Sequence, residues 1–237
     1  MIHRMTEFDT TTGRRPDGPP AGIVALIALA FTIVAVAVPL ALSHKAFPAP
    51  DSTPAGTAAY LTGHHVAAKL AGLFTFGASV PVGIYAATVY ARLLRLGVRV
   101  PGPNIAFFGG ISASVLLAVS GLLTWSLGEA AGGVPGEVLH LLCVVVFALG
   151  GIGFVGALGL LIAGIGVPGL IVRLIPRWLA WLGLVLAAVS EVSFLGLLWS
   201  GFDVLLPIGR FAGLLWLAAV GFMLPRNRHA VPARPKA

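Results

Sequence analysis

The sequence predicts an all-α fold of the integral-membrane kind, a bundle of six transmembrane helices, and three observations predict it. Hydrophobic residues fill 58% of the 237 positions and charged residues only 10%, with a mean hydropathy of +0.99. That is more apolar surface than one soluble core hides from water. Uncharged stretches recur at 19–44, 70–91, 100–128, 138–172, 178–190 and 211–225. The first four exceed the roughly 20 residues that cross the hydrocarbon of a bilayer, the fifth continues past Glu191, and the sixth begins before Arg210. Finally, twelve of the 15 Lys and Arg residues fall in the two tails or in alternate loops, leaving Lys45, Lys69 and Arg210 on the other side. This positive-inside bias places both termini and the 92–102 and 168–177 turns in the cytoplasm, with 45–63, 128–136 and 200–204 outside.

Residues 1–21 are polar and rich in Gly and Pro, the composition of a disordered cytoplasmic tail. The first span covers about 22–43; its apolar run of about 21 residues exceeds the 7–15 of a signal-peptide core, so it is read as a retained helix. The 44–63 loop, rich in Pro and Gly, is expected to lie over the outer surface without regular structure. The second span, about 64–94, carries Pro81 near its middle and should kink there. The third, about 103–127, follows Pro101 and Pro103 and sets Trp125 at the outer interface. The fourth, about 136–167, has glycine at 150, 153, 156 and 159. That row drifts around the helix by about 60° per step, letting several neighbours approach, so this helix is placed at the centre of the bundle. Pro168 and Gly169 should stop it. Trp178 and Trp181 anchor the fifth span, about 178–200, and Asp203 should cap the sixth, about 204–225. Six spans from 22 to 225 leave only a basic cytoplasmic tail at 226–237 and no separate soluble domain.

The net charge of +7 follows topology and does not gather on a solvated face, so the bilayer and not nucleic acid is the partner it indicates. Cys143 is the only cysteine, which excludes an internal disulfide or a multi-cysteine metal site. Two matches to G-x-G-x-x-G, at Gly151, Gly153, Gly156 and at Gly164, Gly166, Gly169, lie in an apolar helical segment. There the amides that would bind phosphate are already bonded, and the glycines serve packing. No nucleophile motif, paired-carboxylate site or protease signature occurs, so an enzyme is not the favoured expectation and no cofactor is predicted.

Polar side chains inside hydrocarbon are costly and tend to face a bundle interior or a wet cavity. At 1.5 Å per residue, depths below the outer surface are roughly 13 Å for Glu191, 9 Å for Arg210, 8 Å for Lys69, 6 Å for His140 and 2 Å for His65. All lie in the outer half, which suggests an outward-facing polar pocket between the second, fourth, fifth and sixth spans. In it Glu191 should meet Arg210 or Lys69, since a lone carboxylate so deep would otherwise be protonated. A plainer reading is that such pairs only fix helix register. Glu137 and His140 share a helix face, and with His65 they compose a two-His, one-carboxylate set for a metal, or His65 and His140 an axial pair for haem. The plainer reading there is two interfacial histidines holding a polar end in water. Three functions follow as expectations: binding of a solute, lipid or partner helix in the outer pocket; an accessory or assembly subunit of a membrane complex; and a metal- or haem-binding redox protein using His65 and His140.

The run Arg173-Leu-Ile-Pro-Arg-Trp-Leu-Ala-Trp-Leu-Gly183, followed by Leu215-Trp-Leu-Ala-Ala-Val-Gly-Phe-Met-Leu-Pro-Arg226, resembles the ends of uncharacterised bacterial multi-pass membrane proteins of the domain-of-unknown-function type. The resemblance covers the last third of the chain. It implies six helices in a bacterial inner membrane and carries no catalytic residue across.

Overall fold

A peptide group in hydrocarbon has no water to bond, so each long uncharged segment satisfies its own backbone as a helix. The computed structural model describes residues 18–225. Its helices are α1 Ala21–Ser43, a short α2 Pro54–Gly63, α3 His65–Arg95, α4 Gly102–Ala130, α5 Gly136–Ile171, α6 Arg177–Leu197 and α7 Ser200–Met223. All but α2 are long and apolar enough to cross a membrane, and no strand occurs among the described residues. The all-α, six-span fold is therefore the observed one.

The six long helices close into a ring. Helix α3 lies between α1 and α4, α5 between α4 and α6, and α7 returns to touch both α6 and α1. The tightest seam is α3 with α4. A Cβ added at Gly72 would strike the backbone of Gly121 and Trp125, one at Gly121 the backbone of Phe76, and one at Gly128 the backbone of His65 and Lys69. Backbones touch here, as small residues permit where lipid offers no competing hydrophobic drive. On α5 the glycine row turns as its spacing requires: Gly150 meets Ser120 of α4, whereas Gly159 meets Ser190 and Glu191 of α6. Phe154, Val155, Leu158, Leu161, Ile162 and Ile165 of α5 are all fully buried.

The half of the bundle beside the 96–101 and 172–176 turns is cross-linked by side-chain hydrogen bonds. Across it the Tyr85 hydroxyl donates to the Leu217 carbonyl at 2.8 Å, Trp216 Nε1 to the Leu179 carbonyl at 2.8 Å, and Arg92 to the Gly221 carbonyl at 3.3 Å. These bonds tie α3 and α6 to α7 and leave the buried donors satisfied. Both turns on this side begin with the 6→1 helix-end bond, Val98 N–H to the Leu93 carbonyl and Leu174 N–H to the Gly169 carbonyl. The left-handed residue is Gly97 in the first and Arg173, at φ 56°, in the second.

Three local expectations are corrected. The 44–63 loop is not irregular: α2 occupies 54–63, because Pro54 suits the first helical position and the Thr53 hydroxyl accepts from Gly56 N–H at 3.1 Å. Helix α5 does not stop at Pro168 but runs through it to Ile171, since membrane bundles tolerate one lost backbone bond inside a helix. Asp203 caps nothing; it sits inside a 3₁₀ turn, Ser200–Val204, that begins α7. The expected tails, at 1–21 and 226–237, fall outside the described residues apart from the start of α1 and the short stretch before it.

Candidate functional site: a one-sided cavity above Arg210

Opposite the cross-linked half, beside the 44–64 segment, the ring is hollow. A cavity of about 500 Å³ lies between α1, α3, α4, α5 and α7, roofed by residues 45–49. Its walls are apolar: Val36 and Leu40 of α1, Leu117 of α4, Val146 and Phe147 of α5, and Leu206 and Phe211 of α7. Val36 and Leu40 of α1 are each about half exposed. Polar groups are few. Ser120 of α4 donates across to the Val146 carbonyl of α5 at 3.1 Å, and Thr124 donates back along α4 to the Ser120 carbonyl at 2.7 Å. Lys45 and Asp203 stand in the lining with Arg210.

Arg210 is held by an uncommon backbone device. Residues Ala148–Gly153 of α5 and Ile208–Ala212 of α7 are each wound as a π-turn. One turn carries the guanidinium and the other its acceptor: Arg210 donates to the Gly150 carbonyl, and its guanidinium carbon lies 5.2 Å from the Phe154 ring centre. A π-turn inserts one residue into the helical ladder, and such bulges concentrate where a helix serves a site. Among the described residues no acidic side chain comes within ion-pair distance of Arg210, and the Gly150 carbonyl is the one hydrogen-bond acceptor it meets.

Of the six residues singled out from the sequence, only Arg210 lines the cavity. Glu191 does not meet Arg210 or Lys69. One of its carboxylate oxygens is buried without a partner beside Gly159, nine residues along α5 from Gly150, or roughly 13 Å by helical rise. Lys69 pairs instead with Glu129 at 2.5 Å; α4 continues past residue 127 to Ala130, and that extra turn carries Glu129 onto α3. His65 and Glu137 are exposed, and His140 is half-buried with Nδ1 3.4 Å from the Thr57 hydroxyl of α2. Among the described residues no group of three or more His, Cys, Asp or Glu side chains is arranged to hold a metal ion, so His65, Glu137 and His140 do not form that set. Residues that sequence reasoning missed are Asp203, whose Oδ1 is buried and unpartnered, Lys45, and the π-turns themselves. The available signals were glycines at 150 and 151, and Pro207 directly before 208–212.

Fold and site together define a multi-pass helical membrane protein with a cavity towards one end and cross-helix hydrogen bonds towards the other. Comparison with family models, with curated proteins and with solved structures returns no match, so function rests on the geometry alone.

Proposed function

We propose that this chain is a protein of the cytoplasmic membrane, with both termini on the cytoplasmic side, that holds one small lipophilic molecule in the cavity facing the outer side. The observation that carries this reading is the one-sidedness of the packing: about 500 Å³ of apolar-walled space in a bundle whose other half is bonded shut across α3, α6 and α7. Cavities of about 300–1,000 Å³ with a few convergent polar groups are the usual housing of drug-sized ligands. The orientation is supported by the distribution of Arg and Lys among tails and turns. The role is non-catalytic on this reading.

Native mass spectrometry of the full chain, purified in mild detergent, tests it. A small bound mass is expected on the unaltered protein. Thr75→Trp or Ala35→Trp, each filling the cavity from a different helix, should remove that mass without unfolding the bundle. A bound mass undiminished by both variants sinks the proposal, and a second polypeptide in its place favours the accessory-subunit reading.

A further inference from the structure

We infer that the occupant of this cavity is a single-chain monoanion, an apolar chain ending in one carboxylate that seats against Arg210. The inference rests on the binding reading above and adds the chemistry of the ligand. Three observations converge on it.

Charge comes first. The charged side chains of the lining are Lys45, Asp203 and Arg210; Lys45 is exposed to solvent on the roof, so the cation that a buried ligand would meet is Arg210. Its partners are a neutral carbonyl and an aromatic ring. A guanidinium carries five N–H donors in a fixed fork that matches a carboxylate. With one acceptor met, donors remain, and a cation left in low dielectric without a counter-charge is expensive. Asp203 does not serve, for it is seven residues away along α7 and one of its oxygens is turned against Gly196.

Shape is second. Aliphatic and aromatic side chains make up most of the lining between Arg210 and the roof, which suits a hydrocarbon chain and repels a polar body. A two-chain phospholipid is larger than about 500 Å³, whereas one chain of medium length fits. Access is third. Helix α1 meets α7 along Gly213–Met223, the end away from the cavity, and at the cavity end Val36 and Leu40 of α1 are about half exposed and line it. A lipophilic acid dissolved in the bilayer reaches the cavity through that wall.

The experiment is a native mass-spectrometric titration of the full chain in mild detergent with three probes of equal chain length: decanoate, decanol and decylamine. Decanoate should occupy the unaltered protein at concentrations at least about tenfold below those of decanol, the size expected of a charge-assisted hydrogen bond. Arg210→Gln should erase that preference while leaving decanol binding in place, and Arg210→Lys should restore part of it. Equal occupancy by decanoate and decanol overturns the inference and leaves the cavity reading standing. So does a preference for decylamine, or a preference for decanoate that survives in Arg210→Gln. If no probe binds, or if Thr75→Trp leaves all binding intact, the cavity reading fails and the inference with it. Should Arg210→Gln not fold, the ranking of the three probes on the unaltered chain decides.

Discussion

At the residue scale, what a glycine does here depends on what its missing side chain would hit. Gly121 and Gly156 are both glycines of apolar helices, and no pattern of spacing separates them. Yet a Cβ at Gly121 runs into the Phe76 and Gly72 backbone, while one at Gly156 meets nothing within 4 Å. Backbone cannot repack as a side-chain tip can. Gly121→Val should therefore cost about 1–3 kcal/mol or more. Gly156→Ala should be neutral or stabilising by up to about 1 kcal/mol, since alanine is the better helix former. Thermal unfolding of the two variants in the same detergent checks the pair; similar midpoints would contradict the α3–α4 seam. The same scale shows why Glu191 was misplaced. Counting residues from predicted helix ends gave it and Arg210 similar depths, but the two π-turns aim Arg210 at Gly150, and Glu191 lies beside Gly159.

At the scale of elements, the six long helices were legible because hydrocarbon leaves a chain of this composition no other way to bond its backbone. Their ends were legible to within a few residues where charge or proline marks them, as at Gly136 and Arg177. Helix α2 was not, although its signal is local: Thr53 before Pro54, then a run containing three alanines. Counting Pro and Gly over the whole loop hid the cap. Thr53→Ala should loosen α2 by roughly 0.5–2 kcal/mol, read as faster amide exchange across 54–63 with the long helices unchanged. Exchange rising equally in α3 or α4 would show that the cap is not local. The π-turns were illegible for a different reason. Hydrophobic pattern reports which face is apolar, and inserting one residue into a helix that is apolar all round leaves that pattern unaltered. One-sided polarity points to a pocket between the second, fourth, fifth and sixth spans, whereas the cavity lies between α1, α3, α4, α5 and α7: of the polar residues that raised the idea only Arg210 lines it, and its walls are the aliphatic residues no motif distinguishes.

At the scale of the whole molecule, the even number of spans and the distribution of arginines make a joint prediction. Reporter tags at the two termini should both lie on the cytoplasmic face, shown by protection from an external protease in intact cells. Tags on opposite faces would contradict six crossings, and both tags outside would invert the cavity's access. The division into a bonded half and a hollow half is a property of the ring and not of any one helix. At one end Tyr85, Trp216 and Arg92 reach carbonyls of neighbouring helices; at the other Ser120 reaches the Val146 carbonyl of α5 and Arg210 the Gly150 carbonyl beside the cavity.

The close approach of Gly221 to Gly22 places the junction of α1 and α7 at the end remote from the hollow. The two helices thus splay like an open V, joined at the distal end and flanking the chamber at the other. The opposite wall, where α3 and α4 touch main chain to main chain, has no such splay.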